Sequence, residues 1–495
     1  MRKFSPLLPS FALLLLSSCA INKAAIHPWS YGPSSSEDYW TPPKNLNKIA
    51  KTPEELPSSE MPDTASPSTL AELLQVALIN NLETKKTWAK AREAASQYGQ
   101  SQSSLMPSLS GNYSFSRIRD ASFFSSNPTG STVLDGEAAG DIFITLFSQW
   151  GPQFSLAYTL FDFGQRRATT LAAKEALYFA DYTHNRAVEL VLQKITTDYY
   201  NYLYAEMLLK AYKENVRTAK TTLDEATLGL ETGVKDISDV LQARTQLLQN
   251  EIAFVSQQQQ VQNSFVTLAN DMGIPSNQTF AVVPMPDTIP QLEYFPDTDT
   301  LIQVALENRP DYLAARADLR SKTQTVYAAR RELLPAINYN LDFGKTFFPM
   351  GLNDKYDYTS TVAISMPIFS GFYYRNSIKL AQASKEESAA ALQEIELSVI
   401  KDISTFRYNI DISYETMNYA KAYLESAEEQ YRVSLAQYKV GTNTILDVIS
   451  AQSALADARA KQASSIQQWY NNLAGLTYAI GITSKTAINQ ETSTP

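Results

Sequence analysis

The chain has 495 residues, a formal net charge of −9 and 44% hydrophobic residues, with a mean hydropathy of −0.24. Only 17 Gly and 19% charged residues exclude a collagen-like or disordered chain, and a pI near 5.1 leaves no electrostatic footprint for nucleic acid. Past the N-terminus, no run approaches the roughly 20 apolar residues of a membrane-spanning helix.

Met1-Arg-Lys is a basic start, and Leu7 to Leu16 is a short apolar run broken at Pro9 and Ser10. Residues 1–18 therefore read as a bacterial signal peptide. Leu16-Ser17-Ser18-Cys19 resembles a lipoprotein lipobox, which implies a covalent lipid on Cys19. The alternative is an ordinary signal peptide with an incidental Cys. Cys19 is the single Cys, so disulfides within the chain are excluded. Ala20 follows it, and by resemblance to Gram-negative sorting rules that favours the outer membrane.

Residues 19–67 are a Pro-rich linker, with eight prolines between Pro28 and Pro67. Few apolar residues lie there, so an extended, draped segment is expected. Leu70, Leu73, Leu74, Ala77 and Leu78 then recur at helical spacing. One helix is expected from Thr69 to Leu105, ending before Pro107. Leu109, Gly111, Tyr113 and Phe115 alternate with Ser108, Ser110, Asn112 and Ser114, a strand with one apolar and one polar face. Residues 118–151 read as a long loop, of which Ile142 to Phe147 could extend the strands. Phe154, Leu156, Tyr158 and Leu160 mark a second strand, and Phe161-Asp-Phe-Gly164-Gln-Arg-Arg167 turns into a helix.

That helix is long. Val188, Val191, Ile195, Tyr202, Ala205, Leu209 and their successors to Leu230 alternate spacings of three and four, broken only by Asp198. A sustained seven-residue repeat is a coiled-coil seam, and roughly 70 residues would span about 100 Å. The seam ends at Leu230-Glu-Thr-Gly233-Val234-Lys-Asp-Ile-Ser-Asp239-Val240, where Gly allows the left-handed conformation that ends a helix. A return helix over about 236–271 and a connection over 275–299 follow.

The pattern then restarts. Leu74-Gln-Val-Ala-Leu78 matches Ile302-Gln-Val-Ala-Leu306, and Leu105-Met-Pro107 matches Leu333-Leu-Pro335, at an offset of 228 (335 − 107). Beyond the strands the offset is 208 (441 − 233), with Gly233 against Gly441 and Gly273-Ile against Gly481-Ile. This is an internal duplication: repeat 1 over 69–274, repeat 2 over 300–482, and a tail over 483–495. The second tip is Tyr438-Lys-Val-Gly441-Thr442-Asn-Thr-Ile-Leu-Asp447-Val448. Helix lengths suggest that the helix after each tip stacks end to end on the helix that opens the other repeat. The connections, linker and tail would then meet at one level. Four strands of about ten residues suit a transmembrane barrel. One chain cannot close it, because open edges are not viable in lipid.

The duplicated tips, the Leu-Pro pair before each strand pair and Phe161 to Arg167 resemble the TolC-type outer membrane efflux family over about residues 69–482. The resemblance implies an α+β membrane protein: a homotrimer with a 12-stranded transmembrane β-barrel in the outer membrane and an α-helical tunnel in the periplasm. It implies a passive export duct for drugs, small toxic molecules or proteins, docked on a periplasmic adaptor (membrane fusion protein) and driven by an inner-membrane efflux pump. It makes Gly233, Val234, Gly441 and Thr442 tip and adaptor contacts.

In the resembled family a tip Tyr and an Arg bond an Asp on the other hairpin. Tyr438 matches that Tyr and Asp239 that Asp, while Asn443 stands at the Arg and Ser450 at a second ring Asp. Threefold symmetry would make Asp239 and Asp447 carboxylate rings that repel one another and attract cations. The bland alternative is a solvated acid at a helix start. No catalytic, metal or cofactor pattern is present. His27 and His184 have no ligand spacing, and a lone helical His184 is expected on the surface. Asp162-Phe-Gly164 is a turn rather than a kinase motif. A non-transporting coiled-coil lipoprotein, acting as spacer or adaptor, is the second function class.

Overall fold

A computed structural model describes residues 26–41, 67–124, 141–285, 296–349 and 355–482. The first repeat contains α1 (Leu70–Asn80), α2 (Leu82–Ser103), β1 (Ser108–Phe124), β2 (Asp141–Phe161), α3 (Gln165–Glu231) and α4 (Ile237–Asp271). The second contains α5 (Thr298–Asn308), α6 (Pro310–Arg331), β3 (Ala336–Thr346), β4 (Lys355–Ser365), α7 (Tyr373–Lys439) and α8 (Ile445–Ile480). The order of types is the same in both. α3 and α7 each have 67 residues and start 208 residues apart (373 − 165). The chain divides into two compact units, one holding Gln97–Lys174 and Arg320–Glu386, the other Pro28–Ser96, Glu175–Leu319 and the chain from Glu387 on.

The first unit carries one antiparallel sheet in the order β1-β2-β3-β4. Its register puts Leu109 opposite Leu156, Leu156 opposite Leu341, and Phe154 opposite Phe343. Tyr158 faces Tyr339, and Tyr339 faces Val362. One face is therefore apolar and aromatic. The other carries Ser110, Ser155, Asp342 and Thr359 in register. None of the described residues covers the apolar face: Leu109, Phe115 and Ile364 are 66%, 69% and 73% exposed. β1 and β2 have 17 and 21 residues, longer than the alternation suggested. Much of the expected 118–151 loop is strand, because ladder bonds come from the main chain and continue through Ser, Gly and Asp. At the end of β2, Asp162 accepts the Gly164 and Arg166 N–H groups at 3.0 and 2.9 Å, which turns the chain into α3.

Helices dominate the second unit. Leu73, Ala77 and Leu78 of α1 pack with Val188, Leu192 and Ile195 of α3 and with Phe265 and Leu268 of α4. The expected single helix over 69–105 is broken, and so is its equivalent at the start of the second repeat. Asn81 (ψ 132°) interrupts the first, and its Oδ1 caps α2 by accepting the Glu83 N–H at 2.8 Å. Arg309 (ψ 118°) interrupts the second, as the residue before a proline is pushed out of the helical region. These breaks also correct the expected stacking. Asn81 Nδ2 donates to the Asp271 carbonyl at 2.7 Å, and Arg309 donates to that of Ala479 at 3.4 Å. Each return helix thus ends against the opening helices of its own repeat.

The described linker residues do bury apolar surface. Trp40 is buried between Tyr178 and Tyr182, with ring centroids 5.3 and 5.2 Å away. Its N–H and carbonyl both bond Asn185 of α3, at 2.7 and 2.6 Å. The Arg92 guanidinium lies 3.6 Å from the Trp29 ring. His184 is fully buried beneath this segment rather than on the surface. Its Nε2 donates to the Asp38 carbonyl at 3.1 Å, and its Nδ1 lies 3.1 Å from Thr87 Oγ1. A carbonyl only accepts, so Nε2 carries the proton. Burial lowers the His184 pKa to about 4. Asp198, the break in the apolar stripe, lines a polar cavity of about 370 Å³ with Asn201, Gln257 and Gln467. Its carboxyl is pushed up to about 7, first by burial and then by Asp271.

Candidate gate at the hairpin tips

Both tips close with the same backbone device. Gly233 (φ 73°) and Gly441 (φ 82°) take the left-handed conformation. The Val234 N–H reaches the Gly229 carbonyl at 2.8 Å, and the Thr442 N–H that of Gln437 at 3.0 Å. The Gly233 and Gly441 N–H groups close the inner bonds to Leu230 and Tyr438 at 3.0 and 3.1 Å. This is a Schellman cap. Among the described residues, no atom beyond the adjoining chain lies within 4 Å of where a Cβ would stand on either Gly, so the left-handed backbone selects Gly there. Val234 is 66% exposed at the first tip, and Thr442 is exposed at the second.

The helices that follow start differently. Asp236 is the N-cap of α4 and Thr444 that of α8. Asp239 and Asp447 are the equivalent third residues, within the first turn of each helix. Asp447 completes a capping box: its Oδ2 accepts the Thr444 N–H at 3.0 Å and hydroxyl at 2.6 Å. These bonds, led by the Thr444 side chain, lower its pKa. Asp447 thus serves its own helix start.

Asp239 does something else. The Tyr438 hydroxyl donates to its Oδ2 at 2.9 Å, joining the two hairpins. Tyr438 is 1% exposed, packed with Ala226, Ala243, Ile445 and Val448. Burial, then the Asp239 bond, raises its pKa. Two contacts absent from the sequence reading lie beside it. Lys235 Nζ sits 4.0 Å from the Tyr438 ring centroid, and Lys439 pairs with Glu225 at 2.7 Å. The only signals for them were two Lys beside the tip glycines. Asn443 stays on its own hairpin, donating to Gln437 Oε1 at 3.3 Å, and Ser450 is exposed. Cys19 lies outside the described residues. Among the described residues no His, Cys, Asp and Glu cluster is placed to hold a metal, and no helix is long and apolar enough to cross a membrane.

Residues 73–273 and 301–482 match the model of the outer membrane efflux protein family. The chain belongs to that family. It is accordingly an efflux channel of the Gram-negative outer membrane. It is 23% identical over 440 residues to the outer membrane protein TolC of Escherichia coli K12, covering 83% of this chain and 82% of that protein. It is 23% identical over 426 residues to the toluene efflux pump outer membrane protein TtgC of Pseudomonas putida, covering 82% and 83%. The fold is shared with VceC of Vibrio cholerae, at a TM-score of 0.73, 18% identity and 83% and 96% coverage. It is also shared with the CmeC outer membrane channel of Campylobacter jejuni, at 0.72, 20% identity and 86% and 89% coverage.

Proposed function

We propose that three copies of this chain form a passive duct for small toxic molecules, completed by a periplasmic adaptor and driven by an inner-membrane pump. The observation that supports this reading most is the surface that one chain leaves without a partner. Among the described residues, β1 and β4 are unpaired sheet edges beside an uncovered apolar face. Pairing β4 of one copy with β1 of the next closes a 12-stranded barrel and removes every edge from lipid.

The helices carry the same message. α3 contacts α8 within the chain, where the Tyr200 and Tyr470 rings stack at 4.4 Å and Gln467 donates to Asn201 at 2.6 Å. α4 and α7 both keep apolar residues exposed. α4 exposes Leu241, Leu248 and Val255, and α7 exposes Ile412, Tyr419 and Val433. Both sets keep a seven-residue register, the pattern of a seam awaiting a second helix.

In this reading the tips are both gate and adaptor contact. Tyr438 and Asp239 hold each chain's hairpins together, Asp447 adds a carboxylate ring, and Gly233, Val234, Gly441 and Thr442 present the tip surface. The duct performs no chemistry, and a lipid on Cys19 ties the N-terminus to the membrane. Native mass spectrometry of the detergent-solubilised protein should find three chains. A stable monomer or dimer would contradict the assembly.

A further inference from the structure

Gly229 lies inside α3 two residues before its end and is not among the residues with positive φ. Its backbone therefore does not require Gly, which costs helix stability relative to Ala. A neighbour supplies the reason. A Cβ on Gly229 would overlap the Lys235 Cγ and lie 3.1 Å from its Cβ. The missing side chain lets the Lys235 stem pass over the helix end. The Lys235 N–H also bonds the Gly229 carbonyl at 3.0 Å, which anchors the base of that stem. Its ammonium then reaches the face of Tyr438, 4.0 Å from the ring centroid.

The second tip shows what happens without this arrangement. At the 208-residue offset, Gln437 stands for Gly229 and Asn443 for Lys235. Those two side chains bond each other at 3.3 Å and stay on their own hairpin. Of these two equivalent side chains, Lys235 crosses to the other hairpin and Asn443 does not. A cation on an aromatic face is attracted by the ring quadrupole. It also makes the phenol a stronger donor to the Asp239 carboxylate, 2.9 Å away.

We infer that Lys235, given room by Gly229, is a positioning residue of the gate that holds Tyr438 against Asp239 in the closed tip. The inference rests on the gate reading above. It assigns to a cation on the first hairpin the bridging role that Asn443, on the second, does not fill.

The test is channel open probability in planar bilayers, with purified full-length protein. Tyr438→Phe is the control for the gate itself. Lys235→Met keeps the stem and removes the charge, and should raise open probability about threefold or more, as expected for losing a partly exposed cation–π contact. Lys235→Arg should stay near wild type. Gly229→Ala, which favours the helix, should open the channel in the wild-type background. It should add nothing once Lys235 is Met. If Tyr438→Phe opens the channel and Lys235→Met does not, the role of Lys235 is overturned and the gate stands. If Tyr438→Phe has no effect, the gate reading fails and Lys235 with it.

Discussion

The Tyr438 hydroxyl and the Asp239 carboxylate meet at 2.9 Å across 199 residues of sequence. One comes from the last turn of α7, the other from the first turn of α4. The bond therefore exists only while the two hairpins lie side by side. Tyr438 is buried, so Tyr438→Phe keeps the packing and removes only the donor.

A hydrogen bond to a charged group contributes about 1.5–3 kcal/mol. Tyr438→Phe should therefore shift the gate toward open without lowering the unfolding temperature. In cells lacking the pump, vancomycin sensitivity should rise several-fold. Asp239→Ala should do the same, and the two together should add little, because each removes the same bond. Unchanged sensitivity in the double variant would mean that other contacts hold the tips.

Asp447 should behave differently from its counterpart. Its carboxylate caps α8 through Thr444, so Asp447→Ala should destabilise the start of that helix by about 1 kcal/mol. In the trimer it should also weaken cation selectivity, read as a shift in reversal potential across a salt gradient. Asp447→Asn should lose selectivity but keep more of the cap.

His184 and Glu189 set opposite pH slopes. Burial holds His184 near 4, below its ordinary 6.5. Between those values the unfolded chain binds more protons, so acid costs stability, up to about 3 kcal/mol. Burial, opposed by Arg186 at 3.0 Å, raises Glu189 from 4.5 to about 7. There the folded chain binds more protons, so stability falls as pH rises through that window. Asp198, also raised to about 7, keeps the Glu189 sign, so each variant is read against the wild type. His184→Gln, which keeps a donor for the Asp38 carbonyl, should lose less stability than wild type, or gain more, on acidification from pH 7 to 5. Glu189→Gln should gain less, or lose more, than wild type from pH 6.5 to 4.5. Thermal scans in detergent across this range check both signs.

Arg309 is buried and bonds Asp311 and Asp402, both at 2.9 Å. Arg309→Met would leave both acids and the Ala479 carbonyl without it. Because the acids are partly exposed, the cost should be about 2–4 kcal/mol, short of a fully buried pair. Thermal unfolding measures it, and a loss below about 1 kcal/mol would contradict this reading.

The sequence showed most of the architecture because a duplication reports its own boundaries. Matching Gly233 to Gly441 located both tips, and the seven-residue stripe before the first gave α3 its length. The break at Arg309 has a local signal in Pro310. The break at Asn81 has no Pro or Gly to announce it and depends on a contact with Asp271, which no local pattern encodes. His184, Trp40 and the extended β1 and β2 escaped for a similar reason. Burial and ladder pairing are set by segments distant in sequence. At the tip, Tyr438 and Asp239 were found through repeat equivalence and family likeness. Lys235 breaks that equivalence, so only coordinates connect it to Tyr438.

Single-channel recording in planar bilayers tests the central claim most directly. The wild-type protein should insert as a channel of low, closed-biased conductance, and Tyr438→Phe/Asp239→Ala should give large, long-lived openings of the same pore. A protein that inserts no channel in either form would contradict the account of a gated export duct.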